Sequence, residues 1–297
     1  MDTRINIALV GFGRFGKKYH KELIKDKNFF LKAIYRKNKI LNNKFQKLTK
    51  KNLVKNNIEA AIICTPINTH FGLSKFFIKK KIPIILEKPA AKNKLEIKKL
   101  INLSKKYRST VLINHSDLFN ENFKFLYSKI KLIGKIKFID AKFGKFNNNY
   151  KNKKYLPLND WLPHPLAVIL TIIKKVEKIK TLKNEIHIKK KSIFQNTILS
   201  FHNRNSLNGK INFSNKIKKK KRQIIIYGKN GLLNYDGYNT KNNFIKTKKK
   251  IFSKKNHLSP LQNILEIFYQ IILKSRFHSD LKLSYDIQNI LDNIKKK

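Results

Sequence analysis

Apolar residues in the first third of the chain follow two patterns. Short continuous runs, typical of parallel strands buried on both faces, alternate with longer stretches in which apolar residues recur at the spacing of an amphipathic helix. Strands are predicted at residues 5–10, 29–35, 60–65, 82–86 and 110–114, with helices at 17–27, 69–80 and 95–107 and a lysine-rich, partly helical stretch at 42–57. This alternation predicts an α/β domain with an open parallel sheet covered by helices on both faces.

The pattern changes after Asn114, where short β-rich runs follow one another with fewer helices between them. Strands are predicted at 136–143, 192–201, 209–213, 223–227 and 232–235, with a hairpin turn at 228–231, and helices at 120–133, 161–174, 261–274 and 281–294. Such an order indicates an α+β domain with a mostly antiparallel sheet and helices on one face. We therefore expect two domains, residues 1–117 and 118–297.

The length of the chain indicates the number of domains, and its charge bears on the kind of partner that it binds. A chain of 297 residues is long enough for two cores. The formal net charge is +51, but only seven of the 68 basic residues are arginine, and the lysines are scattered over every segment. This composition is what an A- and T-rich genome encodes, whereas proteins that read DNA bases favour arginine. We expect no specific nucleic-acid partner, and we expect the charge to favour anionic substrates.

The sequence also bears on compartment and on metals. The single cysteine, Cys64, excludes an internal disulfide and a multi-cysteine zinc site, and its place in a predicted strand indicates an inert core thiol. The longest apolar stretch, residues 162–173, contains His164 and is shorter than the roughly 18 residues of a membrane span. With no signal-peptide pattern before the first strand, we expect a cytoplasmic protein without a membrane partner or a metal site.

A glycine motif follows the first strand directly. Residues 11–16 read Gly-Phe-Gly-Arg-Phe-Gly, the G-x-G-x-x-G pattern between a strand and a helix. Gly11 permits a tight turn, Gly13 lets the backbone approach a pyrophosphate, and Gly16 lets the helix pack close to the strand. The motif predicts a Rossmann domain that binds a dinucleotide at the helix N-terminus, with Arg14 and Phe15 beside it.

Three further clusters carry polar chemistry. Cys-Thr-Pro-Ile-Asn-Thr-His at 64–70 and Glu-Lys-Pro at 87–89 each follow a predicted strand, and Asp-Trp-Leu-Pro-His at 160–164 begins a helix. The first two lie on the side where an open α/β sheet binds its ligands. Together with the glycines, and with a late Pro260-Leu261, these segments resemble the glucose-fructose oxidoreductase, inositol dehydrogenase and MocA (Gfo/Idh/MocA) family over nearly the whole chain.

The resemblance implies NAD(P)-dependent oxidation of a sugar or cyclitol hydroxyl, or the reverse reduction. Its catalytic positions match Lys88, Asp160 and His164. A neutral His164 suits proton transfer, and Lys88 would stabilise charge on the reacting oxygen. Asp160, one helical turn from His164, would orient the substrate or the imidazole, share the proton transfer, or serve only as an N-terminal helix residue. The resemblance places these residues beside the cofactor: Thr65, Pro66, Asn68, His70, Glu87 and Lys88. It also predicts a cis bond before Pro89.

Two segments depart from the pattern. Arg36 stands where an NAD-type fingerprint has an acidic residue, and a guanidinium there suits a 2′-phosphate, so NADP is slightly favoured over NAD. Residues 114–120 resemble the form seen in family members that act on nucleotide sugars, but Glu121 replaces a proline and an arginine common in this segment is missing. His115 would contact the substrate or pack at the domain junction.

Three functional hypotheses remain open. The first is a nicotinamide-dependent dehydrogenase of a sugar, in particular a nucleotide-linked sugar. The second is an inositol or cyclitol dehydrogenase with the same roles for Lys88, Asp160 and His164. The third is a cofactor-binding or polyanion-binding protein without turnover, which the intact set of three residues disfavours. A homo-oligomer formed through the C-terminal sheet is expected from the resemblance.

Overall fold

A computed structural model describes most of the chain. The described residues are 4–35, 45–46, 56–147, 156–189, 192–203, 207–253 and 258–295. They form two compact units: Met1–His115 with Leu261–Gln288, and Ser116–Pro260 with Asn289–Lys297.

The first unit is built on a parallel sheet. In the described part of the chain it has six strands in the order β3-β2-β1-β4-β5-β6. Their bounds are β1 Ile5–Val10, β2 Phe29–Tyr35, β3 Phe45–Gln46, β4 Ala60–Ile63, β5 Ile84–Leu86 and β6 Val111–Ile113. All neighbouring pairs are parallel. The central strands are apolar throughout because both faces are covered, and Ile7, Leu9, Ile62 and Ile85 are fully buried.

Helices connect these strands. They are α1 Arg14–Leu23, α2 Ile67–Lys79 and α3 Lys94–Tyr107. Asn93 caps α3, where its side chain accepts a hydrogen bond from the backbone N–H of Glu96 at 2.9 Å. The predicted Rossmann-type domain is confirmed.

The second unit contains the predicted antiparallel sheet. Among the described residues it has eight strands in the order β14-β13-β12-β11-β7-β10-β9-β8. Their bounds are β7 Ile136–Gly144, β8 Lys178–Lys189, β9 Ser192–His202, β10 Asn208–Ser214, β11 Lys221–Gly228, β12 Gly231–Asp236, β13 Phe244–Thr247 and β14 Ile251–Ser253. Only β7 and β10 pair in parallel within this described sheet, so the sheet is mostly antiparallel, as predicted.

Helices and two 3₁₀ turns complete the described architecture. The helices are α4 Glu121–Ser128, α5 Pro157–Trp161, α6 Pro163–Ile173, α7 Pro260–Leu273 and α8 Leu281–Lys295, and the turns are Ile130–Ile133 and Thr240–Asn242. The predicted helix at 161–174 is thus α6, which begins at Pro163, and the separate helix α5 before it was not predicted. Pro163 and Pro165 lack the N–H groups that a continuous helix would use there.

Four of the described strands, β3, β8, β13 and β14, escaped the sequence pattern, and β8 is the longest of them. β8, Lys178–Lys189, is twelve residues long but almost wholly exposed. It lies at the end of the sheet order, so its lysines need not alternate with buried apolar residues, and the expected signal is absent.

The terminal helices also change the expected domain division. Leu261–Gln288 belong to the first unit, whereas the sequence pattern predicts that residues 118–297 form one domain. Two contacts explain this: the Phe268 ring stacks on Phe29 with centroids 5.9 Å apart, and the N–H of Val111 donates to the carbonyl of His278 at 3.0 Å. The chain therefore returns to cover the parallel sheet and extend its edge.

Among the helices in the described ranges, none combines the length and the apolar character that crossing a lipid bilayer requires.

Candidate functional site

The glycine turn after β1 has the geometry that a dinucleotide needs. Gly11 has φ +99°, and a Cβ on it would lie 2.8 Å from the Cys64 carbonyl. A Cβ on Gly16 would lie 2.3 Å from the carbonyl oxygen of Gly11. A Cβ on Gly13 would meet no atom within 4 Å, so the space above it is open. These three positions fit a pyrophosphate at the N-terminus of α1.

The electrostatics of this turn favour an anion. Gly13 is the N-cap of α1, and no acidic residue occupies the first turn of that helix. The first N–H groups of the helix have no intrahelical partner, and the helix dipole adds positive potential. Arg14 is exposed, with its guanidinium 5.4 Å from the centroid of the Phe15 ring.

The carboxyl ends of four strands meet at this edge of the sheet. Hydrogen bonds continue the ladder one residue past each strand: Gly11 N–H to Tyr35 O at 2.9 Å, Cys64 N–H to Val10 O at 2.8 Å, Glu87 N–H to Ile63 O at 3.0 Å and Asn114 N–H to Leu86 O at 2.9 Å. The glycine turn, Thr65, Lys88 and His115 are thereby brought to one edge. Pro66 and Asn68 are exposed there.

His70 joins two of these loops. Its ring is 2% exposed, with Nδ1 2.8 Å from the Pro89 carbonyl and Nε2 2.8 Å from the Thr65 carbonyl. Burial lowers the pKa of His70, and a neutral ring donates to one of the two carbonyls at a time. The bond between Lys88 and Pro89 is cis, which confirms that prediction. His70 thus holds the turn that carries Lys88 against the loop after β4.

A buried polar group lies beneath Lys88. The Asn114 amide donates to Glu87 Oε1 at 2.7 Å. Burial raises the pKa of Glu87, against the lowering effect of Asn114 and the Lys88 charge. Burial also raises the pKa of Tyr19 and of Cys64, so the Cys64 thiol stays protonated. The hydrogen bond between Glu87 and Asn114 therefore ties the Glu87-Lys88-Pro89 turn to the end of β6.

His164 lies in a charged cluster of the second unit. Its Nδ1 is 3.2 Å from Asp117 Oδ2, and Arg222 Nη2 donates to the same carboxylate oxygen at 2.7 Å. The Tyr235 hydroxyl donates to Asp117 Oδ1 at 2.8 Å. Burial would raise the pKa of Asp117, but the Arg222 charge and the His164 hydrogen bond hold it well below its usual range.

The sequence did not single out Asp117 and Arg222. Asp117 lies inside the segment 114–120, and Arg222 is one of the seven arginines in a lysine-rich chain. The sequence signal that could have identified Arg222 is a single arginine after a run of lysines. A guanidinium suits a buried ion pair better than a lysine ammonium does. Arg222 brings a guanidinium to Ser116 at 2.9 Å and to Asp117, in the segment where the sequence lacks the expected arginine.

The remaining predicted residues are placed as follows. Asp160 lies in α5 and is partly buried. It precedes His164, which lies in α6, by four residues. His115 is 5% exposed, and its Nε2 lies 3.1 Å from Ser284 Oγ in the same unit. Arg36 lies outside the described residues.

Comparison with known proteins agrees with this geometry. Residues 5–115 match the model of the GFO_IDH_MocA family, an oxidoreductase family with an NAD-binding Rossmann fold. No curated protein sequence matches the chain significantly.

Solved structures share the fold at low identity. UDP-N-acetylglucosamine 3-dehydrogenase GnnA from Acidithiobacillus ferrooxidans is 14% identical with a TM-score of 0.81, over 99% of this chain and 97% of that one. An Agrobacterium radiobacter oxidoreductase in complex with NAD⁺, L-tartaric acid and magnesium is 13% identical with a TM-score of 0.82, over 99% and 96%. Biliverdin reductase from Synechocystis in complex with biliverdin and NADP⁺ is 12% identical with a TM-score of 0.73, over 98% of each chain.

At these identities the structural likeness shows the fold alone, while the family model matches only residues 5–115. The glycine turn, the Glu87-Lys88-Pro89 turn and the matched range 5–115 agree. Residues 5–115 are therefore similar to the NAD-binding Rossmann domain of the Gfo/Idh/MocA oxidoreductases.

Proposed function

We propose that this protein is an NAD(P)-dependent dehydrogenase that transfers a hydride between the nicotinamide and a sugar hydroxyl or carbonyl, with a nucleotide-linked sugar as the favoured substrate. The observation that carries the proposal is the position of Lys88. It follows β5 at the same sheet edge as the open space above Gly13. A cation there suits a reacting oxygen beside a bound dinucleotide.

The proposed roles divide the chemistry among three side chains. A bound nicotinamide would supply the hydride acceptor or donor. Lys88 would donate a hydrogen bond to the reacting oxygen and stabilise the negative charge that builds on it. His164 would take the hydroxyl proton during oxidation and return it during reduction. Asp160 would bind a substrate hydroxyl from the helix that precedes His164.

Two features support an anionic sugar substrate. The net charge of +51 raises the local concentration of anions such as nucleotide diphosphates. One protein with the same fold is a UDP-N-acetylglucosamine 3-dehydrogenase. Another reduces biliverdin, so the fold does not decide the substrate, and the proposal rests on the residues of the site.

An activity screen tests this proposal. Purified protein is incubated with NAD or NADP and a panel of UDP-sugars, free sugars and inositols while the nicotinamide absorbance is followed. We expect turnover of a UDP-sugar, with a higher kcat/KM for NADP than for NAD because of Arg36. Turnover of an inositol alone would establish the cyclitol alternative. Cofactor binding without turnover of any member would contradict the proposed activity.

We also propose a homo-oligomer formed through the open face of the large sheet. Phe138 and Tyr227 pair across β7 and β11 on the face opposite to the buried Ile139 and Ile226. Together with Leu182, which is 61% exposed, Phe138 lines an open hollow of about 390 Å³. Exposed apolar side chains on one face are typical of a protein interface, and the occupant proposed is a second copy of this chain.

Charged substitution tests the interface. Phe138→Glu is expected to lower the mass measured by light scattering to that of a monomer, because removing a carboxylate from water at the interface is costly. The matched control is Leu95→Glu, since Leu95 is 66% exposed and lies in the first unit. An unchanged oligomer in Phe138→Glu, or a monomeric wild type, would contradict this interface.

A further inference from the structure

Arg222 has more hydrogen-bond donors than the cluster around His164 uses. Its Nη2 carries two hydrogens, and three acceptors surround this nitrogen: Asp117 Oδ2 at 2.7 Å, Ser116 Oγ at 2.9 Å and His164 Nδ1 at 2.5 Å. These acceptors use Nη2 completely. Nη1 carries two further hydrogens, and none of the described residues accepts a hydrogen bond from it.

The unused end of the guanidinium is accessible. The Arg222 side chain is 16% exposed. Its Nε is buried without an acceptor in the described part of the chain, whereas Nη1 is not buried. Asp117, with a side chain that is 2% exposed, offsets the cost of burying the rest of the guanidinium, and together with Ser116 it fixes the plane of the group. Arg222 therefore presents fixed donors to an acceptor from outside the described residues.

Tyr238 and Lys220 border Arg222. A Cβ on Gly237 would lie 2.8 Å from Arg222 Cδ, so the chain after β12 runs directly along the arginine side chain. Tyr238 follows and is 44% exposed, and burial raises its pKa against the lowering effect of the Arg222 charge. Lys220 Nζ is 5.8 Å from the centroid of the Tyr238 ring. A second cation and an aromatic ring therefore lie beside the guanidinium.

The charge around Arg222 is positive. Residues 216–221, which join β10 to β11, read Lys-Ile-Lys-Lys-Lys-Lys, and all five lysines are exposed. Two nearby carboxylates reduce this charge. Asp117 is paired with Arg222, and Asp236 Oδ1 accepts a hydrogen bond from the backbone N–H of Tyr238 at 2.9 Å. The lysines outnumber these carboxylates, and a guanidinium in a positive field favours a phosphate or a carboxylate as its acceptor.

We propose that Nη1 of Arg222, with Lys220 and Tyr238 beside it, forms a subsite for an oxyanion of the substrate, either a phosphate of a nucleotide-linked sugar or the carboxylate of a sugar acid. The inference rests on the proposed function, because it places the anionic group of the substrate next to His164. In this subsite Nη1 donates to the oxyanion, Lys220 adds a second positive charge, and the Tyr238 ring packs against the bound group.

Equilibrium binding tests the subsite without requiring turnover. UDP and glucuronate are titrated separately into the purified full chain by calorimetry, because one carries phosphates and the other a sugar carboxylate. Arg222→Lys keeps a cation opposite Asp117 but removes the Nη1 donors. We expect this variant to weaken binding about 10-fold or more, the usual effect of losing a hydrogen bond to a charged group. Lys220→Met removes an exposed charge, and we expect it to weaken binding about 2- to 5-fold.

Lys229→Met is the matched control. Lys229 is exposed and lies just past the other end of β11, so this variant removes the same charge from the same unit and should keep the wild-type affinity. Weaker binding of UDP in Arg222→Lys would identify a phosphate as the oxyanion, and weaker binding of glucuronate alone would identify a sugar carboxylate. Lys220→Met alters only an exposed side chain, so it decides the question if Arg222→Lys does not fold. Wild-type affinity in Lys220→Met, or no binding of either anion, would overturn the inference.

Further outcomes separate this subsite from the glycine turn and from the proposed function. The glycine turn would also accept the pyrophosphate of UDP, and loss of UDP binding in Gly13→Ala but not in Arg222→Lys would overturn the inference. Binding through Arg222 without turnover of any sugar in the activity screen would contradict the proposed function alone. Turnover of an anionic substrate with the wild-type KM in Arg222→Lys would contradict the subsite alone.

Discussion

Lys88→Met is expected to lower kcat about 10²–10³-fold while leaving NAD(P) affinity nearly unchanged. Methionine keeps the unbranched side chain but removes the ammonium that would stabilise the reacting oxygen, and loss of one such donor has an effect of this size. The turn should stay in place, because the hydrogen bonds of His70 to the Pro89 carbonyl and of Glu87 to Asn114 do not involve the Lys88 ammonium. Steady-state kinetics and a cofactor titration measure the two quantities.

The control for Lys88 must separate its position from the general charge of the chain. Lys92→Met removes the same charge four residues later, from an exposed side chain on the same loop. We expect this variant to keep its kcat. Wild-type turnover in Lys88→Met would exclude the proposed role, and equal losses in both variants would point to a general electrostatic effect.

Gly16→Ala is expected to destabilise the first unit by about 1–3 kcal/mol, the usual range for overpacking. The new Cβ would lie 2.3 Å from the carbonyl oxygen of Gly11, and that oxygen belongs to the main chain, so β1 and α1 would have to move apart. The free energy of unfolding in urea measures the change. Dinucleotide affinity should fall as well, because the helix N-terminus moves with the helix.

Two other glycines provide matched controls. Gly72 lies exposed inside α2, and a Cβ there meets no atom within 4 Å, so Gly72→Ala should stabilise the protein by about 0.5–1 kcal/mol. Gly13→Ala also meets no protein atom but fills the space proposed for the pyrophosphate. It should weaken NAD(P) binding more than it changes unfolding. Equal stabilities of the Gly16 and Gly72 variants would refute the packing argument.

The first half of the fold could be predicted because its signals are local. The strands of the parallel sheet are continuous apolar runs, such as Ala60–Ile63 and Ile84–Leu86, and the glycines sit between a strand and a helix. Burial on both faces requires apolar residues, and the positive φ at Gly11 favours glycine. Both requirements are visible in the sequence. The edge strand Lys178–Lys189 has no buried face that imposes one, and it was missed.

The candidate site was predictable only in part, for a related reason. Lys88 and the loop after β4 follow strands, so their meeting at one sheet edge follows from parallel order. The contacts of His164 with Asp117 and Arg222 could not be predicted in this way. These two residues are 105 positions apart, and neither stands in a periodic pattern. Likewise, His70 was expected beside the cofactor, and its two main-chain contacts became visible only in the folded loops.

By itself, the sequence determined the alternation of strands and helices around the parallel sheet, the glycine turn that suits a dinucleotide, and Lys88 at the end of β5, because short-range spacing and burial dictate each of them. The tertiary structure decided that residues Leu261–Gln288 return to the first unit and that Asp117, rather than a neighbour in sequence, supplies a carboxylate at His164 Nδ1. These outcomes depend on which buried surfaces and charges find partners after the chain has folded back on itself, and no local pattern encodes that choice.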